Sequence, residues 1–170
     1  LSLHDALPIY STGHYLTDLN LKRSFDLIVN QYLHGNKIDI VAFDACLMAD
    51  IEIAFTLMPY AHHVVSSQET VPGAGFNYTS LLAPFAHTNP DAITVAKNLV
   101  ASYDVQYKYS GQSYTLSAIN LDKFSSVVSY TNAIASLLNK FLAADKRGLL
   151  EKAIKNSASS RNCVHFDEPT

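Results

Sequence analysis

IDIVAFDACLMADIEIAFTLM, residues 38–58, changes period halfway along, and that change decides how the chain reads. Ile38 to Phe43 is a short apolar run rich in branched residues, the pattern of a buried strand. Leu47, Ile51, Ala54, Phe55 and Met58 then recur at helical spacing, and Pro59 closes the helix. Cys46 is thus expected where a strand gives way to a helix. A helix N-terminus carries partial positive charge and free N–H groups, which favour a thiolate over a thiol. Strand side chains alternate, so Asp44 and Cys46 share one side, roughly 7 Å apart at about 3.3 Å per residue. A free cysteine is more often inert packing than a nucleophile. Here its place at a strand end, beside an anion, makes it a candidate for chemistry.

Outward from this stretch the chain alternates strands and helices. Leu21, Phe25, Ile28, Val29 and Tyr32 mark an amphipathic helix, with Asn20 as its N-cap and Gly35 beyond its end. Residues 10–15 read as loop. His62 to Ser67 predicts a second strand, and Pro72, Gly73 and Gly75 an irregular loop between Thr70 and Tyr78. Asn89-Pro90-Asp91 starts a helix whose buried face is Ile93, Ala96, Val100 and Tyr103. Tyr114 to Asn120 is a third strand. Asp122 is expected to cap a long helix carrying Phe124, Val127, Val128, Ile134, Leu138 and Phe141, interrupted at Gly148 and followed by a shorter helix to Asn156. Strands separated by helices imply an α/β fold: a mainly parallel sheet with helices on both faces.

Composition sets the outer bounds. With 170 residues, 48% of them hydrophobic and 16% charged, the chain is of ordinary globular type and single-domain size. A net charge of −3 gives no reason to expect nucleic acid or an anionic membrane as partner. No apolar run approaches the ~20 residues that cross a bilayer. The two cysteines, Cys46 and Cys163, make no disulfide framework and read as free thiols.

Phe43-Asp44-Ala45-Cys46-Leu47-Met48-Ala49, then Glu52, then Ser66-Ser67-Gln68-Glu69, then Pro72-Gly73-Ala74-Gly75-Phe76-Asn77-Tyr78, resembles the clostripain-like cysteine peptidases from about Leu16 onward. The Asp-Ala-Cys-Leu-Met and Pro-Gly-x-Gly-aromatic segments together carry the resemblance; either alone is weak. It implies a caspase/gingipain-like fold, incomplete at the N-terminus, and a Cys/His dyad hydrolysing peptide bonds. Cys46 would attack the carbonyl, with its own backbone N–H as oxyanion donor. Asp44 would lie in the pocket for the side chain before the cleaved bond and select arginine or lysine. The edge at Ser67, Gln68 and Glu69 would take the substrate backbone in extended form. Gly73, Gly75 and Phe76 would form a pocket wall. The partner implied is a peptide or protein substrate, and export from a bacterial cell goes with the family. No cofactor is required. Calcium assists some members, but no acidic loop here matches a calcium site.

Two departures from the family pattern matter. Relatives often carry an acid between the two loop glycines, where this chain has Ala74, so basic selection rests on Asp44. The dyad histidine of such enzymes lies roughly 50 residues before the cysteine. The family pattern is His-Gly followed by another glycine, and no such string precedes Cys46, so that histidine is expected upstream of this sequence. His4 stands near the right distance with the wrong neighbours, and His14 is too close. Residues 1–9 match neither a signal peptide nor the family and read as foreign or unstructured. Residues 10–156 read as a partial catalytic domain, and 157–170 as a loosely ordered, truncated tail. The competing class is a catalytically inactive homologue that binds peptides or proteins in the same cleft.

Other candidates are weaker. Adjacent strand residues point to opposite faces, so His62 and His63 do not share a metal. Cys163-Val164-His165 is half a zinc site without its other half. Asp50 and Glu52 stand about 200° apart on a helix, too far for a paired-carboxylate mechanism.

Overall fold

Branched residues make both central strands in the computed structural model, which describes residues 5–9, 14–144 and 146–158. Strand β3 (Ile38–Ala42) pairs in parallel with β4 (Ala61–Ser66), Val41 opposite Val64 and Ala42 opposite Val65. A parallel pair needs a crossover, and helix α2 (Ile51–Leu57) provides it. Strand β5 (Ser117–Asn120) pairs antiparallel with the far edge of β4, so the order is β3–β4–β5.

Val64 and Val65 point to opposite faces of the central strand, yet are 1% and 0% exposed, so both faces are covered. Helix α2 buries Ile53, Ala54 and Leu57, and both it and α4 (Ala92–Tyr107) lie against β4. The α4 side is an aromatic core: Val65, Phe76, Ala96, Leu99, Tyr103 and Tyr107 pack together, with Ile40 and Tyr114 at the margin. Tyr103 meets Phe76 edge-on at 5.8 Å and Tyr107 at 4.7 Å between ring centroids, geometry that suits aromatic quadrupoles. The buried face of α4 is rotated from expectation. Leu99 and Tyr107 belong to it, and Ile93 is exposed.

Several caps differ from the sequence reading. Thr17, not Asn20, caps α1 (Asp18–Leu27), its Oγ1 accepting the Asn20 N–H at 3.2 Å. The helix runs on through a π turn, Ile28–Tyr32, and ends where His34 and Gly35 take positive φ of 53° and 87°. Asp91 caps α4 through Thr94. Asp122 caps nothing. It sits in a 3-10 turn, Leu121–Lys123, and pairs with His62 and Lys37 instead.

Strand β1 (Asp5–Ile9) pairs antiparallel with β2 (His14–Thr17), giving regular backbone where the sequence suggested loop around residues 14 and 15 and no structure before residue 10. Residues 125–170 form a unit separate from 1–124. It holds α5 (Ser125–Ala143), which has no buried residue, and α6 (Arg147–Ala158). Helix α5 ends at Ala143 and α6 begins at Arg147, just before Gly148. His4, Cys163 and His165 lie outside the described residues. No described helix is long and apolar enough to cross a membrane.

Candidate active site

The chain leaving the carboxyl end of β3 takes an unusual course before α2. Helix α2 does not begin at Cys46. Asp50 caps it, Oδ1 accepting the Ile53 N–H at 2.6 Å, and residues 43–50 form a separate segment. That segment is tied to the strand beside it: the N–H groups of Phe43, Leu47 and Ala49 donate to the carbonyls of Val65, Glu69 and Ser67 at 2.9, 3.2 and 2.9 Å. Buried Met48 anchors it, and Leu47 takes φ 60°, a left-handed conformation that costs a branched residue about 1 kcal/mol or more. The expected helix-dipole support for a Cys46 thiolate is therefore absent. The loop after β4 supplies a donor in its place: the Val71 N–H reaches Cys46 Sγ at 3.2 Å.

Cys46 is an exposed free thiol. With Asp44, Ala45, Val71, Pro72, Gly73, Ala74 and Gly75 it lines an open cavity of about 250 Å³. The Cys46 backbone N–H donates to nothing among the described residues. Asp44 Oδ2 accepts the Phe76 N–H at 3.1 Å and the Tyr78 hydroxyl at 2.8 Å. Gly75 makes this possible. It has φ +62°, its N–H closes a turn onto the Pro72 carbonyl at 2.8 Å, and a Cβ there would stand 2.9 Å from Asp44 Oδ1. The Gly75 carbonyl is held from below by the Tyr107 hydroxyl at 2.7 Å and Gln106 Nε2 at 3.2 Å. Beside them Tyr103 is fully buried, and among the described residues its hydroxyl has no partner. Burial first, then the charges of Tyr107, Asp44 and Cys46, push its pKa up to about 12.

The structure brings together Cys46, Asp44, Gly73 and Gly75, and leaves other expected site residues elsewhere. Ser67 is fully buried: its Oγ meets the Glu69 carbonyl and Thr115 Oγ1, both at 2.9 Å. Thr115 Oγ1 also takes the N–H groups of Gln68 and Glu69. These backbone donors are occupied, and none of the three residues lines the cavity, so the expected substrate-pairing edge at Ser67, Gln68 and Glu69 gives way to an internal brace. Phe76 is likewise a core residue rather than a pocket wall, because its ring is buried against Tyr103. The sequence gives Val71 no role and reads Tyr107 as the start of a polar connection; neither hydrogen bond has a local signature.

Among the described residues no histidine lines the cavity. His62 Nδ1 lies 2.8 Å from Asp122 Oδ2, and His63 Nδ1 is 3.2 Å from the Asp39 carbonyl, on the opposite faces that strand alternation requires. No group of three or more His, Cys, Asp or Glu side chains fit for a metal occurs among the described residues.

Known proteins are similar to this chain. The clostripain family model matches residues 20–167. Among solved structures, a B. fragilis cysteine protease is 19% identical with a TM-score of 0.53, over 66% of this chain and 46% of that one. A clostripain from Bacteroides thetaiotaomicron ATCC 29148, in complex with a peptide inhibitor, is 16% identical with a TM-score of 0.53, over 72% and 50%. A secreted C11 cysteine protease from Bacteroides thetaiotaomicron, with an irreversible peptide inhibitor, is 21% identical with a TM-score of 0.54, over 68% and 34%. The chain thus spans half or less of the length of these structures and shares their fold. Among curated proteins none matches it.

Proposed function

This chain belongs to the clostripain family of cysteine peptidases, and from that premise we propose that it carries the nucleophile and the substrate-selecting carboxylate of an endopeptidase cutting after lysine or arginine. The observation behind this reading is that the exposed Cys46 thiol and the Asp44 carboxylate line one open cavity. As a thiolate, Cys46 attacks the peptide carbonyl carbon. The C–N bond breaks, a histidine gives its proton to the departing amine, and water then releases the acyl group from sulfur. The Val71 N–H favours the anionic sulfur, and the unengaged Cys46 N–H is placed to stabilise the oxyanion. The histidine comes from sequence outside the described residues. The substrate is a peptide or protein and the chemistry requires no metal. Export from the cell belongs to the same reading, in keeping with a structural relative described as secreted.

A second reading draws on the fact that no described histidine lines the cavity: a homologue that holds peptides without cutting them. One experiment separates the two. Full-length protein is offered fluorogenic peptides with lysine, arginine, asparagine or leucine before the scissile bond. Cleavage of the basic pair that disappears in Cys46→Ala, with an unchanged melting temperature, supports the peptidase. Cleavage that persists in Cys46→Ala overturns it, and binding without cleavage favours the second reading.

A further inference from the structure

The Asp44 carboxylate is not symmetric. Both its hydrogen bonds, from the Tyr78 hydroxyl at 2.8 Å and the Phe76 N–H at 3.1 Å, fall on Oδ2. Among the described residues nothing donates to Oδ1. Gly75 closes against the same group, so the carboxylate is held in one orientation with both described donors on one oxygen and none on the other. A guanidinium pairs best with a carboxylate through two parallel N–H groups, one to each oxygen. An ammonium is a point charge and needs one acceptor.

We propose that Tyr78 is a specificity-determining residue: by filling Asp44 Oδ2 it denies a guanidinium its two-point contact and leaves a site suited to an ammonium, so that lysine is preferred to arginine. The inference rests on the reading of Asp44 given above and goes beyond it. Tyr78 owes its place to local structure. Asn77 caps α3 (Tyr78–Leu82), its Oδ1 accepting the Ser80 N–H at 3.0 Å, which fixes Tyr78 as the first helical residue. The ring leans on Phe76 at 6.2 Å but is 53% exposed, so packing alone does not hold it. Its bond to Asp44, more than burial, raises the phenol pKa, so Tyr78 keeps its proton and remains the donor.

The test is the ratio of kcat/KM for two fluorogenic peptides differing only in lysine or arginine, measured on full-length protein. Wild type favours lysine on the order of tenfold, and Tyr78→Phe, which keeps the ring and frees Oδ2, moves the ratio toward arginine by a similar factor. A wild-type preference for arginine, or a ratio unmoved by Tyr78→Phe, overturns the proposal. A second readout needs no turnover: protection of Cys46 from iodoacetamide by N-acetyl-lysine amide and N-acetyl-arginine amide. The lysine derivative protects better in wild type, and the two converge in Tyr78→Phe. Equal protection by both in wild type, or protection by neither, overturns the proposal even if the variant does not fold. Shifted protection without any cleavage sinks the peptidase reading and keeps Tyr78. Cleavage after basic residues without a shifted ratio does the reverse.

Discussion

Asp44 and Asp122 are exposed carboxylates at opposite ends of one sheet, each holding two partners, and the partners differ in kind. Asp122 meets Lys37 Nζ at 3.1 Å on one oxygen and His62 Nδ1 at 2.8 Å on the other, while Lys37 also donates to the Met58 carbonyl at 2.9 Å. That cluster pins the start of β3 and the end of α2 to the chain beyond β5. Asp44 is held by two neutral donors on a single oxygen, and no cation reaches it among the described residues. A carboxylate whose charge is answered within the fold is a brace. One oriented by neutral donors, and left open to water, is equipped to receive a cation from outside.

Exchanging the two roles gives the largest expected effect. Asp44→Asn should lower kcat/KM for basic peptides on the order of 100-fold while sparing neutral ones, with little change in melting temperature. Asp122→Asn should do the opposite, lowering the melting temperature and leaving the ratio of basic to neutral cleavage alone. Equal losses on basic and neutral peptides in Asp44→Asn would make it a second brace and erase the contrast.

Glycine substitutions come next in size. At Gly75 an added Cβ meets both a left-handed φ and the Asp44 carboxylate, whereas Gly35, with φ +87°, has nothing within 4 Å. Gly35→Ala therefore loses about 1 kcal/mol from backbone strain alone. Gly75→Ala is expected to lose roughly 1–3 kcal/mol in urea denaturation and to weaken the basic preference by displacing Asp44. If the two variants behave alike, Asp44 yields freely and its orientation is not fixed.

How much of this was legible beforehand follows from the range of each interaction. Asp44 and Cys46 line one cavity without the strand alternation expected of them, because β3 ends at Ala42; the apolar runs of β3 and β4 are written in the spacing of neighbouring residues. So is the separation of His62 from His63. The start of α2 was misplaced because helical spacing runs back through Leu47, while the backbone of residues 43–49 is claimed by carbonyls of Val65, Ser67 and Glu69, about 20 residues away. Ser67 looks like a substrate contact until Thr115, from a distant segment, closes over it. Phe76 looks like a pocket wall until Tyr103 claims its ring. Periodicity reports which face is apolar; it is silent on a hydrogen-bond partner 30 or more residues distant, such as Tyr78 for Asp44.

Acid titration sharpens the contrast from the Asp122 side. The bond to His62, and after it the one to Lys37, holds the Asp122 carboxyl below its ordinary pKa. A folded pKa below the unfolded value of about 3.9 gives stability that is full above that pH and lost as pH falls through the folded value. The melting-temperature gap between wild type and Asp122→Asn should therefore hold at pH 6 and close below about pH 4. A gap unchanged at pH 3 would mean that Asp122 acts through shape, not charge.

The smallest effect belongs to a third aspartate that tests the premise. Asp50, like Asp44, is met by a neutral donor, the Ile53 N–H, but it is half-buried, and burial first of all raises its pKa. The sign is opposite to that of Asp122. A carboxyl whose folded pKa lies above the unfolded one opposes folding once ionised, so its favourable contribution is full below about pH 4 and lost as pH rises through the folded value. Asn keeps the capping oxygen without the charge. Asp50→Asn should thus be more stable than wild type at pH 7, a gain that vanishes near pH 3, whereas Asp50→Ala loses about 1 kcal/mol with the cap. Urea denaturation at both pH values reads the difference. If Asp50→Asn gains nothing at pH 7, neutral donors are enough to answer a carboxylate in this fold, and the lack of a cation at Asp44 no longer sets it apart from Asp122.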